Sequence, residues 1–223
     1  MTKLKAALIM TALVVAVGVV AIYILPHPAL AEGQTSAPLM AVSCDCQETS
    51  FGDLAADAVR AAGGADLALV GAISFRPGML TPGPLTRERV ATLLANPDEV
   101  WAVSKLTGAQ VRDALEHSVR TTPLPNNAFL QVAGLSFDYS STAPQLQRIR
   151  AVRVGFGTLS DTATYSVAMP LSLAKGGSGY FKIFTKDAII RQGETSLADA
   201  IVNYASQQGS VMYTGMGRIN VVP

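Results

Sequence analysis

Apolar residues recur along the chain with two periods, and the switches between them mark out its elements. Phe51, Leu54, Ala55, Ala58 and Val59 follow the i, i+3, i+4, i+7, i+8 spacing of an amphipathic helix, and Gly63-Gly64 stops it. "DLALVGAI", residues 66–73, is a short continuous apolar run, which predicts a buried strand. It ends on "SFRPG", so a strand that reads as buried stops on Arg76, followed by Pro77 and Gly78. "RPGMLTPGPL" predicts a long loop, with a helix after it from about Thr86 to Leu94.

"VWAVSKL", residues 100–106, reads as a strand. Thr107 and Gln110 then form a Thr-x-x-Gln capping box opening a helix with Val111, Ala114, Leu115 and Val119 on one face. "TTPLPNN" is a turn, and "FLQVAGLSFDYS", "QRIRAVRVG" and "TYSVAMP" are strand candidates. "LSLAKGGSGYFKIF" ends a short helix in a glycine loop; a last helix carries Leu197, Ala200, Ile201, Tyr204 and Ala205, and "GRINVV" is a final strand. Helices and hairpins interleave irregularly, which predicts an α+β single domain with a mixed β-sheet packed by helices, not a doubly wound sheet.

The front of the chain has a different character. Lys3 and Lys5 precede twenty uncharged residues, Ala6 to Leu25, and Ala29-Leu30-Ala31 is a small-x-small site. Basic start, apolar centre and small-residue site predict a secretory signal peptide over 1–31, cleaved after Ala31. The apolar stretch is also long enough to span a bilayer, so an uncleaved anchor through residues 6–25 is the alternative, and the only route to a membrane. Either way the bulk of the chain is expected to be exported, periplasmic or extracellular. Residues 32–47 are small and polar and read as a linker, leaving 48–223 as the domain.

Removing the leader takes Lys3 and Lys5 from the 17 basic residues and none of the 16 acidic ones, so the exported part is close to neutral. That balance argues against a nucleic-acid partner and against a polybasic membrane patch. Cys44 and Cys46 in "SCDC" would close a very small, strained disulfide ring; pairing with another chain, a soft-metal site completed by a partner, or no role at all remain open. His117 is the one histidine beyond the leader, set mid-helix in "ALEHSVR", and reads as a packing or surface residue rather than a catalytic base. With so few metal-ligating residues in pattern, a two-metal hydrolytic centre on this chain is not expected, nor any cofactor, and no P-loop or G-x-G-x-x-G string is present.

"ETSFGDLAADAVR", "ADLALVGAISFRPG", "LTGAQVRDALEHSV", "FLQVAGLSFDYS", "TYSVAMPLSLAKGGSGY" and "GRINVV", in that order, resemble the C-terminal domain of the 5′-nucleotidase family, from about Glu48 to Val222. In that family an N-terminal metallophosphoesterase domain carries the metals and the attacking water, and the C-terminal domain binds the nucleoside. The resemblance therefore implies a stand-alone substrate-binding domain with a nucleotide or nucleoside ligand, and a separate metallophosphoesterase chain as partner for any catalysis.

The family's Asn-Gly-Gly-Gly-Ile-Arg loop falls on Gly71–Arg76, where only Arg76 is kept. A further family arginine falls near Asp45 and is lost, and the Pro-Phe-Gly loop corresponds to "ANPDE", 95–99, without an aromatic. The Gly-Gly-Asp-Gly-aromatic loop corresponds to Gly176-Gly177-Ser178-Gly179-Tyr180, keeping its ring and losing its aspartate. The resemblance thus implies half a clamp: Tyr180 stacking on one face of a base, Gly177 and Gly179 letting the loop approach, and Arg76 contacting an anion or ribose. A base on an aromatic face is worth ~1–3 kcal/mol. Phe75 or Trp101 are candidates to replace the missing ring. The competing expectation is a binding-dead structural or interaction module, in which Arg76 is only the polar end of a buried strand.

Overall fold

The computed structural model describes residues 32–215 and 217–223; the signal-peptide and anchor readings lie outside the described residues. In chain order the elements are β1 (Gln34–Thr35), β2 (Leu39–Met40), α1 (Ser50–Gly63), β3 (Leu67–Gly71), β4 (Met79–Leu80), β5 (Gly83–Pro84), α2 (Arg87–Ala91) and β6 (Val100–Thr107). There follow α3 (Gly108–Val119), β7 (Leu130–Ala133), β8 (Leu135–Tyr139), β9 (Ile149–Val154), β10 (Gly157–Thr158), β11 (Thr164–Pro170) and α4 (Leu171–Ala174). The chain ends with β12 (Ile189–Ser196), α5 (Leu197–Gln208), β13 (Ser210–Val211) and β14 (Ile219–Val221).

The main sheet has five strands in the order β12-β6-β11-β3-β7, with β11 and β3 parallel and the other neighbours antiparallel. A four-stranded sheet, β10-β9-β8-β14, closes with β14 parallel to β8. The expected mixed α+β architecture is what forms. β3 is buried at every position, as its unbroken apolar run demands. The "FLQVAGLSFDYS" stretch splits into two strands at Gly134, whose φ of +76° lets the chain leave the main sheet for the second one.

Helix α1 covers the main sheet and packs on α5. Thr49 caps its start by accepting from Gly52 N–H at 3.2 Å, and Gly64 ends it in the left-handed region at φ +51°. Its small residues Ala55, Ala56 and Ala58 are buried, and a Cβ on Gly63 would lie 2.8 Å from Ala168 Cβ, so helix and sheet meet at close range there. Helix α3 opens with the anticipated reciprocal box: Gln110 N–H donates to Thr107 Oγ1 at 3.2 Å and Thr107 N–H to Gln110 Oε1 at 2.9 Å.

Residues 32–47 are not a free linker. β1 lies between β13 and β5 in a three-stranded sheet, β2 pairs with β4, and Leu39, Ala41 and Cys44 join the core. Gln131, fully buried on β7, holds the last part of this segment. Its Nε2 donates to the carbonyls of Cys44 (3.0 Å) and Gln47 (2.8 Å), and its Oε1 accepts Thr49 N–H (3.0 Å). One amide thereby seats the approach to α1. β12, a mostly exposed edge strand with an irregular register on β6, had no apolar pattern to announce it. No helix among the described residues is long and apolar enough to cross a membrane.

Candidate functional site

The Gly71–Arg76 loop leaves the end of β3 as a short 3-10 turn over Ala72–Ser74. It is strapped on both sides. Ala72 N–H donates to Phe129 O at 2.7 Å and Ile73 N–H to Asn127 O at 3.1 Å; on the other side Arg76 N–H donates to Leu93 O at 2.9 Å, and Ser74 O accepts Ala95 N–H at 2.9 Å. Phe75 N–H turns back to Ala72 O at 3.0 Å. The loop's N–H groups are therefore engaged within the fold and do not form an anion nest. The Arg76 side chain is exposed and donates to Ala95 O at 3.2 Å, its one hydrogen bond among the described residues.

The "ANPDE" loop is tied to the glycine loop's own base. Ser172 N–H, at the start of α4, donates to Glu99 Oε1 at 2.8 Å. Four residues on, the chain turns sharply: Gly176, Ser178 and Gly179 have φ of +88°, +54° and +86°. A Cβ on Gly176 would fall 2.6 Å from Phe181 Cα, and one on Gly177 would fall 2.8 Å from Ser172 O. Gly179 faces the His117 ring, with a would-be Cβ 3.1 Å from Nε2. Gly177 is thus required by the close approach of Ser172, and Gly179 is favoured by its φ and by the His117 ring of α3, whatever else approaches the loop.

Tyr180 departs most from the half-clamp expectation. Its ring is fully buried, stacked on Phe184 at 4.9 Å between centroids and met edge-on by His117 at 4.4 Å. Its hydroxyl donates to Ala128 O at 2.6 Å, and burial pushes it well above the ordinary phenol range. Both faces of this ring are covered by protein, so in this conformation it offers none to a base. The exposed ring of the loop is the next residue, Phe181, with 66% of its surface open. Phe75 and Trp101 are buried as well. Phe75 sits edge-on to Phe51, while Trp101 donates Nε1–H to Thr195 Oγ1 at 3.1 Å under the Arg191 guanidinium. Neither replaces a lost ring.

The structure does bring the two candidate loops together, through a segment that the sequence marks only as the end of a turn and the start of a strand. Asn126–Phe129 supplies the carbonyls that receive Ala72 and Ile73 from one loop and Tyr180 from the other. Asn126 holds this segment in place: its Nδ2 donates to Ser118 O at 2.7 Å and its Oδ1 accepts Ala128 N–H at 3.0 Å. His117 locks the glycine loop from the α3 side. Its Nε2 lies 3.1 Å from Ser178 O, which only a ring N–H can satisfy, so Nδ1 is the lone-pair nitrogen facing Arg120 at 3.4 Å. Burial lowers the His117 pKa, against the Ser178 bond that raises it, so the neutral ring is favoured. Gly179 and His117 also line a cavity of about 360 Å³ with Asp113, Lys182, Ile183 and the exposed Leu146.

Two strapped loops thus lie beside a buried tyrosine at one end of the mixed sheet. The family described as "5′-nucleotidase, C-terminal domain" matches residues 30–186. The chain belongs to this family. The trifunctional nucleotide phosphoesterase protein YfkN of Bacillus subtilis (strain 168) is 28% identical over 149 residues, covering 63% of this chain and 10% of that protein. The 5′-nucleotidase precursor of Thermus thermophilus superposes with a TM-score of 0.76 at 25% identity, over 85% of this chain and 39% of that one. The NAD nucleotidase of Haemophilus influenzae shares the fold, with a TM-score of 0.71 at 18% identity over 86% of this chain and 38% of that one. This 5′-nucleotidase C-terminal domain therefore spans well under half the length of each. Among its described residues, no group of three or more His, Cys, Asp or Glu is placed to hold a metal ion.

Proposed function

We propose that this protein is an exported nucleotide- or nucleoside-binding half-site, serving a metallophosphoesterase partner that supplies the hydrolytic chemistry. Membership of the 5′-nucleotidase C-terminal domain family supports the ligand class. The observation that carries it to a site is Arg76: an exposed guanidinium on a loop fixed at both edges, joined through Asn126–Phe129 to the glycine loop. A guanidinium on a rigid mount presents a fork of charge-assisted donors to a phosphate or a ribose. Phe181, the exposed ring of the glycine loop, takes the base-covering role in this reading in place of the buried Tyr180. Export rests on the Lys3–Ala31 leader pattern, and cleavage after Ala31 would leave every described element in the released chain.

A ligand that binds only the folded state raises its melting temperature with concentration. Titration of the chain with AMP, adenosine and UDP-glucose is expected to give such a rise for at least one of them. The rise should be abolished in Arg76→Ala and reduced in Phe181→Ala. No rise for any of them at millimolar concentration contradicts the reading. A second reading, an interaction module without a ligand, is favoured by the internally engaged N–H groups of residues 72–76 and by the burial of Tyr180. It predicts no rise, together with capture of a phosphoesterase chain.

A further inference from the structure

Three carboxyl groups and one guanidinium meet where α1 begins and the C-terminal strand closes the fold. Glu48 precedes the helix, Asp53 and Asp57 lie on its first two turns, and Arg218 leads into β14. Asp57 is fully answered. Arg218 donates to its Oδ1 at 3.0 Å and its Oδ2 at 2.7 Å, and the Tyr213 hydroxyl adds a bond at 2.8 Å. Glu48 is half answered: its Oε2 accepts the N–H groups of Arg218 (2.9 Å) and Ile219 (3.0 Å), which fixes the start of β14.

The other oxygens have no donor. Glu48 Oε1 and both oxygens of Asp53 are buried, and no donor among the described residues reaches them. Arg218 Nε stands 3.7 Å from Asp53 Oδ1, an ion-pair distance but too long for a hydrogen bond. Asp53 is wholly buried, and it shares Arg218 with Glu48: the guanidinium Nε faces Asp53, and the backbone N–H of the same residue is held by Glu48 Oε2. Two bare carboxylates buried around one guanidinium without a donor would be repulsive and unsolvated, and that guanidinium cannot balance three carboxylates. A single proton removes both problems, because a protonated carboxyl donates one O–H and its neighbour accepts it.

We propose that Asp53 and Glu48 hold one proton between them in the folded chain, and that this O–H···O bond fastens Arg218 and β14 to the start of α1. The other charged or titratable groups facing the cluster, among the described residues, are Asp57 on α1, Tyr213 and Arg218 in the C-terminal segment, and Tyr204 on α5, whose hydroxyl is 3.5 Å from that of Tyr213. Desolvation is the largest influence on Asp53, opposed by Arg218 and reinforced by Glu48, and it pushes the carboxyl up to about 8. The folded chain therefore keeps a proton that the unfolded chain gives up near 3.8. The stability this contributes is full on the acid side, declines as pH rises between those two values, and is gone above about 8.

Asp53→Asn tests the pair directly, because the amide has the same shape and carries a donor that cannot ionise. In the full chain in detergent micelles, the variant is expected to fold. Its folding constant relative to wild type should rise from pH 5 to pH 9, by up to roughly tenfold per pH unit within the window. Carbon-13 shifts of the labelled carboxyls in the wild type should show Asp53 protonated at pH 7. The Ile219 amide should lose protection against hydrogen exchange above pH 8 in the wild type but not in the variant. An Asp53 carboxyl that titrates in the ordinary range near pH 4, or a wild-type-to-variant ratio that is flat from pH 5 to pH 9, overturns the proposal. If the variant does not fold, the carboxyl titration of the wild type decides alone.

Discussion

The Tyr180 hydroxyl donates to the carbonyl of Ala128 at 2.6 Å, and through that bond the glycine loop rests on the segment that also braces the Arg76 loop. Tyr180 is thus a strut of the site, not one of its surfaces. Tyr180→Phe keeps the stacked ring but leaves a buried carbonyl short of a donor, at a cost of about 1–3 kcal/mol. Tyr180→Ala also empties the space of an aromatic side chain, costing about 3–5 kcal/mol. Phe181→Ala, by contrast, should change stability by no more than about 0.5 kcal/mol. Urea unfolding of the three variants checks the contrast, and a Phe181→Ala cost as large as that of Tyr180→Ala would contradict it.

Gly176→Ala and Gly64→Ala separate two uses of positive φ. Gly64, at φ +51°, has open space around its missing Cβ, so alanine there costs the left-handed backbone alone, about 1–2 kcal/mol. Gly176, at φ +88°, would add a Cβ 2.6 Å from Phe181 Cα, and the backbone would have to shift. The loss in folding free energy should be clearly larger at Gly176, as equilibrium unfolding would show.

His117 gives the glycine loop a pH dependence. Its folded pKa lies below its ordinary value of 6.5, because burial disfavours the imidazolium. The stability it contributes is therefore full above about pH 6.5 and is lost as pH falls through the folded value. His117→Gln keeps a donor for Ser178 O and cannot titrate in this range. Between pH 7.5 and pH 5 the wild type should lose more stability than this variant, as thermal melts at the two pH values would reveal.

The end of α1 at Gly64 and the start of α3 at the Thr107/Gln110 box were legible because these signals are local and sit next to what they terminate. The strands of unbroken apolar sequence were legible for the same reason. β1 and β2 were not, being two residues long, nor was β12, mostly polar after Ile189-Ile190; only the edges they join make strands of them. The candidate site was legible as two loops and no further. Arg76 is exposed, but the strand expected to stop on it ends at Gly71 and a 3-10 turn lies between; in the glycine loop, which turns at Ser178 with φ +54°, Tyr180 is buried and Phe181 exposed. Nothing in "GGSGYF" distinguishes the two rings. Gln131 and Asn126 were missed because a polar residue in a strand or turn looks the same whether it faces solvent or holds distant carbonyls.

Gln131 also holds the backbone on which the two cysteines sit. Burial, and Asp45 beside it, push the Cys44 thiol up to about 11, so it is a poor nucleophile. Cys46 is partly exposed and should be alkylated first at pH 8. Gln131→Leu removes the amide that seats residues 44–49, and Cys44 should then label at a rate approaching that of Cys46, as mass spectrometry of the modified chain would show.

The proposed ligand face of this domain consists of Arg76 and Phe181. Amide chemical shifts of the full chain, followed by NMR through an AMP titration, test it most directly. Saturable shifts confined to residues 73–76, 127 and 178–181, and absent in Arg76→Ala, are the predicted result. No saturable shift at millimolar AMP, or shifts centred elsewhere and unchanged in Arg76→Ala, would contradict it.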